Sequence, residues 1–221
     1  MSHTILYYTA NLISDFFAEN VRDHLRSFGL PIVSVSHKPI DFGENICIGE
    51  AEVSNYTVYR QILIGAQRAE TKYVVCCEDD SLYVPEHFTV EPPEDTFVYN
   101  NNRWNLNTYF YYYRDRAGMC MCVAPRELMI EVLEKRFEKY PEPIERRKFK
   151  GFGEPGRYED LLGLPPVKME TFKTADPTVT FNHRPSLGGK RRILKTDLIE
   201  QTIEPWGKAY DLWCKYYGDH K

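Results

Sequence analysis

Three consecutive acidic residues carry the most informative chemistry of this chain. Glu78, Asp79 and Asp80 directly follow residues 72–77, a run typical of a buried β-strand. Carboxylate oxygens suit hard cations such as Mg²⁺ and Mn²⁺, which keep one or two protein carboxylates and take further oxygens from substrate phosphates. The triplet therefore predicts a metal site for a phosphorylated substrate. A solvated acidic turn is the alternative interpretation.

Two later positions carry residue types suited to the same chemistry. Glu159 and Asp160 follow a loop rich in proline and glycine, and His183 follows a short apolar run at residues 179–181. A carboxylate in an acceptor pocket can take the proton of an attacking hydroxyl as a general base. The alternative is that the acid pair only favours a helix N-terminus through the helix dipole. A lone histidine at a strand end is often structural, although imidazole can also bind a divalent cation.

The first third of the chain is predicted to alternate strands and helices, which would bring the acidic triplet to a crevice. Apolar runs at residues 5–8, 31–36 and 72–77 predict strands, and the residues between them include two segments with helical periodicity. This order predicts a parallel sheet with right-handed crossovers and helices on both faces. Ligands bind outside the carboxyl ends of such strands, so Asn11, His37 and the triplet should face one crevice.

The second half is predicted to add further strands and helices around two loops. Residues 141–157 contain prolines, glycines and a basic cluster, and residues 186–191 contain paired glycines followed by cations. We expect the second loop to act as a mobile lid, because paired glycines give backbone freedom. The patterns predict strands at 96–99, 109–113, 118–123 and 179–181, and helices at 125–139, 158–162 and 198–213.

Length and composition limit the class of protein. The chain has 221 residues, 43% of them hydrophobic, and a net charge of −4. A single compact domain with a sizeable core is expected, and disorder is excluded. No apolar stretch is long enough to span a membrane and no basic leader precedes an apolar core, so we expect a soluble cytoplasmic protein. The six cysteines include an adjacent pair, which favours reduced thiols over a disulfide framework.

In the order of its motifs the chain resembles a GT-A-fold glycosyltransferase over nearly its full length. The triplet Glu78-Asp79-Asp80 is similar to the acidic DxD motif, Tyr158-Glu159-Asp160 to the xED motif, and His183 to a late metal-ligating histidine. The first acid is Glu where the family usually has Asp. The resemblance implies an α/β fold, Rossmann-like, with a mixed, mainly parallel central sheet flanked by helices. It also implies a nucleotide-sugar-binding half at residues 1–80 and an acceptor half at 81–221.

The resemblance further implies roles for individual residues. Mn²⁺ or Mg²⁺ would bind Asp80 and His183, Asp160 would be the general base of an inverting enzyme, and Glu159 would orient it. The donor would be a nucleoside-diphosphate sugar, with a UDP-sugar expected. Turn formation, a surface arginine and a solvated basic loop are the competing interpretations of several donor residues. The residues implied in donor binding are Thr9, Asn11, His37, Arg60, Glu78, Asp79, Lys190 and Arg191.

The acceptor is predicted from basic and aromatic residues. Cations interleaved with aromatic rings provide phosphate contacts and base stacking, a combination used on nucleic acids. Some virus-encoded enzymes of this general fold glycosylate hydroxymethylated pyrimidines in DNA, and the chain looks like them; its location would then be the host cytoplasm. A glycan or small-molecule acceptor remains open, because aromatic rings also stack on sugars. The residues predicted to bind the acceptor are Trp104, Arg146, Arg147, Lys148 and Lys150.

Two rival functions use the same fold class. A sugar nucleotidyltransferase would normally carry a glycine-rich phosphate loop after the first strand, and residues 8–11, Tyr-Thr-Ala-Asn, contain no glycine. A non-catalytic binding module would not need both acid pairs. The oligomeric state is left open by the sequence.

Overall fold

The computed structural model describes residues 1–113, 115–143, 152–184 and 192–218, and its first third alternates strands with helices. The elements are β1 (His3–Thr9), α1 (Asp15–Arg26), β2 (Ile32–Ser36), β3 (Glu44–Cys47), α2 (Asn55–Arg68) and β4 (Tyr73–Glu78). β1 is buried over its full length, as a central strand covered on both faces must be. α1 begins at the N-cap Ser14, whose hydroxyl accepts a hydrogen bond from the N–H of Phe17 at 3.4 Å.

The rest of the chain contributes short strands and three helices. They are β5 (Ser81–Leu82), β6 (Thr96–Asn100), β7 (Arg103–Asn107), β8 (Phe110–Tyr113), β9 (Cys122–Pro125), α3 (Arg126–Lys139), α4 (Glu159–Leu162), β10 (Lys168–Phe172), β11 (Thr178–Phe181), β12 (Leu198–Glu200), β13 (Thr202–Ile203), β14 (Gly207–Lys208) and α5 (Ala209–Tyr217). Two 3-10 helices lie at Pro85–Phe88 and Met119–Met121.

A seven-stranded sheet forms the centre, in the order β10-β6-β9-β4-β1-β2-β3. Its neighbouring strands are parallel except where β9 inserts antiparallel between β6 and β4. Helices α2 and α3 pack with one hydrophobic cluster of the sheet, and α1 and α5 pack with the other. This arrangement confirms the predicted α/β fold with a mixed, mainly parallel sheet flanked by helices.

A smaller, five-stranded sheet stands beside the carboxyl edge of the larger one. Its order is β12-β8-β7-β11-β5. β5 belongs to this sheet and follows β4 after only two residues, Asp79 and Asp80, so the acidic triplet lies where the chain passes from one sheet to the other. The two sheets therefore meet at the predicted metal site.

β3, β5, β7 and β10 were not predicted, and one predicted helix is wrong. β5 has only two residues, and β3, β7 and β10 have four or five residues with two or three polar residues each, so their apolar signal is weak. The helix expected over 198–213 is replaced by β12, β13 and β14, and α5 begins only at Ala209. Pro205 falls inside the predicted helix and cannot donate the backbone hydrogen bond that a helix interior needs. Residues 118–123, predicted as a strand, form a 3-10 helix that leads into β9.

All six cysteines are free thiols in the structure, and Cys76, Cys77, Cys120 and Cys122 are buried. In the described ranges no helix combines the length and apolar character that crossing a membrane would require.

Candidate functional site

Asp80 lies in the turn between β4 and β5, at the carboxyl edge of the larger sheet. Only 6% of its surface is exposed. Its backbone carbonyl accepts a hydrogen bond from the N–H of Phe181 at 2.8 Å, and the Ser81 hydroxyl donates to its carboxylate at 3.1 Å. Because these bonds anchor the turn to β11, the Asp80 carboxylate has a fixed direction.

His183 meets Asp80 although 103 positions separate them in the sequence. Its Nε2 lies 3.1 Å from Oδ2 of Asp80. The ring stacks on Phe17 of α1, with centroids 5.8 Å apart, and meets Tyr217 of α5 edge to face. The imidazole is thus held between two helices, with Nε2 directed at the carboxylate.

The Asp80–His183 pair fits a divalent cation bound through two protein ligands. Carboxylate oxygen and imidazole nitrogen are both ligand types for Mn²⁺, and a cation of this kind completes its shell with water and phosphate oxygens. Within the described part of the chain, no group of three or more His, Cys, Asp or Glu side chains is arranged as a metal site. The pair would therefore hold the ion, and a substrate would supply much of its coordination.

Asp79 carries an unusual protonation equilibrium. Burial, reinforced by the negative charge of Asp80, raises the pKa of Asp79 to about 7, while a hydrogen bond from the Thr9 hydroxyl lowers it. The side chain nevertheless keeps partial exposure. Two adjacent carboxylates at a buried turn repel each other, and a nearby cation would relieve that repulsion. The electrostatics of the turn therefore favour a bound cation.

The loops after β1 and β2 are tied together beside the acids. Asn11 adopts a left-handed backbone with φ of 54°, its N–H donates to the Thr9 hydroxyl at 2.8 Å, and its side-chain carbonyl accepts from the N–H of Lys38 at 2.9 Å. Asparagine tolerates this backbone conformation better than most residues. His37, which directly precedes Lys38, is buried, and its Nε2 has no hydrogen-bond partner in the described ranges. Burial lowers the pKa of His37, so its ring is neutral.

Two further predicted donor residues, Glu78 and Arg60, are described by the structure. Glu78 ends β4 half-buried, and its carboxylate accepts a hydrogen bond from the Tyr8 hydroxyl at 3.2 Å. Arg60 is exposed in the second turn of α2. Lys190 and Arg191 fall outside the described residues.

The predicted acid pair occupies two opposite environments. Glu159 is 3% exposed; its Oε1 accepts hydrogen bonds from Nε and Nη2 of Arg136 of α3 in an ion pair, and its Oε2 accepts the N–H of Gly156 at 2.7 Å. Asp160, the next residue, is exposed on the first turn of α4. Glu159 therefore anchors the segment that presents Asp160, and the contacts described for Asp79 and Asp80 do not include either residue.

The predicted acceptor residues are only partly described. Trp104 is half-buried in β7, where its ring packs against Tyr113 with centroids 5.5 Å apart and against the core. Arg146, Arg147, Lys148 and Lys150 lie outside the described residues.

Several residues around the site were not singled out from the sequence. Gln61 of α2 is 1% exposed and donates to the carbonyl oxygens of Thr9 and Val35, the ends of β1 and β2, at 2.9 and 3.0 Å. Ser81 and Tyr217 flank Asp80 and His183. Of these, only Ser81 had a visible signal, its position directly after the acids; Gln61 and Tyr217 are identified by tertiary contacts alone.

Comparisons with known proteins give similar structures but no family. No protein-family model and no curated protein matches the chain. A glycosyltransferase involved in glycosylation of the major capsid of PBCV-1 aligns with a TM-score of 0.48 and 12% identity, over 81% of this chain and 92% of that one. S. aureus TarS 1-349 in complex with UDP aligns with a TM-score of 0.44 and 7% identity, over 83% and 61%. The inositol-1-phosphate CTP transferase from T. maritima gives 0.45 and 11%, over 81% and 89%.

These TM-scores are below 0.5, so the activity of this chain has to be argued from its own site.

Proposed function

We propose that the chain is a glycosyltransferase of the GT-A type that uses a nucleoside-diphosphate sugar and a divalent cation. The observation that supports this most is the meeting of Asp80 and His183 at the carboxyl edge of the sheet, directly beside the tied loops after β1 and β2. When bound, Mn²⁺ or Mg²⁺ would neutralise the negative charge of the departing diphosphate. Residues 1–80 would then bind the donor, and residues 81–221 the acceptor.

Residues of the crevice would make the contacts with the donor. Thr9, Asn11 and His37 would contact the base and ribose of a UDP-sugar, and Glu78 and Asp79 would contact the ribose. The neutral ring of His37, with its unpartnered Nε2, can exchange a hydrogen bond with a nucleotide without adding charge. Arg60, Lys190 and Arg191 would supply positive charge toward the diphosphate.

The acceptor side rests on Asp160 as general base. An exposed carboxylate on an anchored helix turn can accept a proton from an attacking hydroxyl, which would contribute about 10²–10⁴-fold to the rate. Attack opposite the leaving diphosphate would invert the anomeric carbon. Glu159 would act on Asp160 only by position, through its ion pair with Arg136.

The metal assignment is tested by direct binding and by turnover. Mn²⁺ binding in the presence of UDP, followed by electron paramagnetic resonance, should be seen for the wild type and lost in Asp80→Ala, with an unchanged circular dichroism spectrum. Hydrolysis of a UDP-sugar should stop in excess chelator. Asp95→Ala removes an exposed acid at the start of β6 and serves as the control, with both properties retained. Full activity in excess chelator would refute metal dependence.

A sugar nucleotidyltransferase is the second candidate, because the same acids could serve it. In that reaction the phosphate of a sugar phosphate attacks the α-phosphorus of a nucleoside triphosphate, which forms a nucleoside-diphosphate sugar and releases pyrophosphate. The loop after β1 argues against it, since the N–H of Asn11 is used by the Thr9 hydroxyl instead of pointing at a phosphate. Pyrophosphate release from a panel of nucleoside triphosphates and sugar phosphates would favour this candidate over glycosyl transfer.

The acceptor that we propose is a hydroxymethylated pyrimidine in DNA. The support is the sequence cluster Arg146, Arg147, Lys148 and Lys150. If the cluster neutralises phosphates, DNA binding should weaken steeply with salt, and Ala substitution of the first three should lower the slope by about one per lost contact. Salt-independent binding, or transfer only to a neutral oligosaccharide, would identify a glycan acceptor instead.

A further inference from the structure

Arg103, in the first position of β7, is a buried cation with almost no hydrogen-bond partners. Its residue surface is 3% exposed. Within the described ranges its guanidinium makes a single hydrogen bond, from Nη1 to the thiol sulfur of Cys120 at 3.2 Å, and its Nε has none. A thiol is a weak acceptor, and a buried charge without strong partners is costly. Such a group is expected where a ligand supplies the missing acceptors.

The side chain belongs to a polar face of the smaller sheet. Arg103 is paired with Thr178, Asn105 with Thr180, and Thr180 with Ser81, so their side chains share one face. All five are buried. The alternate residues of the same strands, such as Leu106 and Val179, pack in the hydrophobic core. The four other polar side chains therefore lie on the same face of the sheet as the Arg103 guanidinium.

Arg103 is influenced by two residues of the acidic triplet, and the segment that contains its partner Cys120 contacts the segment of the proposed base. Burial by itself lowers the pKa of Arg103, but Cys120, Glu78 and Asp80 together raise it, which places both acids within electrostatic range. Ala117 precedes Cys120 by three residues, and its carbonyl accepts a hydrogen bond from Arg157 at 3.5 Å. Arg157 precedes Asp160 by three residues.

We propose that Arg103 is the anion-binding group of an acceptor pocket, so that the acceptor carries a phosphate or carboxylate near the hydroxyl that is glycosylated. The statement about the acceptor rests on the proposed function, whereas anion binding at Arg103 does not. A planar guanidinium with free N–H groups matches the paired oxygens of either anion. A purely internal role, as countercharge to Glu78 and Asp80, is the alternative that the test must separate.

The first test measures thermal unfolding in chelator with inorganic phosphate as the probe, at constant ionic strength. The Tm of the wild type should rise by about 2–4 °C once phosphate exceeds its Kd about fivefold. Arg103→Met should lose this rise because the guanidinium that binds the anion is absent, and its Tm without phosphate reports the internal role of Arg103 beside Glu78 and Asp80. Arg68→Met, an exposed arginine of α2, should keep the rise.

The opposite pattern would overturn the proposal. A large drop in Tm for Arg103→Met without phosphate, with an unchanged phosphate response, would make Arg103 an internal countercharge. Absence of a phosphate response in the wild type would equally refute the anion site. Asp80→Ala should keep or strengthen the response, so failure of the metal site and failure of the anion site are seen separately.

A second test distinguishes the sources of the anion. Transfer is compared on an oligonucleotide containing hydroxymethylcytosine, an oligosaccharide containing a hexuronic acid, and a neutral oligosaccharide. Arg103→Met should lower kcat/KM at least about tenfold for the anionic acceptor that is used, and one bidentate contact of this type accounts for such a factor. Efficient transfer to the neutral acceptor that is insensitive to Arg103→Met would overturn the proposal.

Discussion

Glu159 and Asp160 are adjacent acidic residues, but one is buried and the other is exposed. The Glu159 carboxylate is buried and uses its oxygens on Arg136 and on the N–H of Gly156. Arg136 is itself fully buried, so each charge compensates the other. Asp160 has none of these constraints and remains exposed. One acid therefore fixes the backbone, and the other is available for chemistry.

This division predicts opposite effects of two isosteric substitutions. Glu159→Gln should lower the free energy of unfolding by about 3–5 kcal/mol, because it leaves the Arg136 charge buried and unpaired. Asp160→Asn should change it by less than about 0.5 kcal/mol but reduce turnover by about 10²-fold or more, with unchanged donor affinity. Urea unfolding and steady-state kinetics measure the two. Wild-type turnover in Asp160→Asn would show that another residue is the base.

At the scale of elements, helix α2 positions the donor side of the crevice through one buried side chain. Gln61 donates both protons of its amide, to the last residue of β1 and to Val35 of β2. Its bonds hold the ends of two parallel strands in register just where their loops begin. Asn11 and His37 lie on these loops, so α2 helps to fix the positions of two residues that we propose contact the nucleotide.

Gln61→Met should therefore weaken both the fold and the nucleotide site. Two strand-end carbonyls would lose their partner in a buried position, which should lower the free energy of unfolding by about 1–3 kcal/mol. UDP affinity, measured by calorimetry, should fall as the loops lose their common anchor. Gln67→Met, in which an exposed glutamine of the same helix loses only its bond to Glu134, is the matched control. Equal UDP affinity in both variants would contradict the positioning role.

At the scale of the whole molecule, one buried histidine makes stability depend on pH. His87 is fully buried, and neither ring nitrogen has a hydrogen-bond partner among the described residues. It stacks with Tyr83, near the smaller sheet, and with Phe172 of β10 in the larger sheet. Burial, and to a lesser extent the charge of His3, lower the pKa of His87 from 6.5 to about 3.

The sign of the effect follows from where the proton binds. Below pH 6.5 the unfolded chain binds a proton at His87, whereas the folded chain does not bind it until about pH 3. The free energy of unfolding is therefore highest above pH 6.5 and decreases as the pH falls from 6.5 toward 3. Between pH 7 and pH 5 the wild type should lose about 2 kcal/mol more than His87→Phe. Phe88→Leu should instead shift stability equally at each pH. Parallel pH profiles for wild type and His87→Phe would contradict the assignment.

Local patterns were sufficient for the elements with strong apolar periodicity and for the position of the acidic triplet. β1 and β4 were predicted because they are continuous apolar runs, and α1, α2 and α3 because their apolar residues recur at the period of a helix. The weak strands β3, β7 and β10 gave no such signal, because their register depends on neighbouring strands. The helix predicted over 198–213 failed because its apolar residues suited a helical face, while Pro205 and pairing with β8 favoured strands.

The sequence by itself determined the α/β class, the strand that ends in Glu78, Asp79 and Asp80, and the edge of the sheet where those acids lie, because each follows from local periodicity and the rule for parallel strands. Only the tertiary structure decided that His183 meets Asp80, that Gln61 ties β1 to β2 and that Glu159 pairs with Arg136. It also decided that Arg103 is buried without a strong hydrogen-bond acceptor among the described residues. These facts depend on contacts between residues far apart in the chain, and residue type and local spacing do not specify which distant side chains will share a buried, low-dielectric environment.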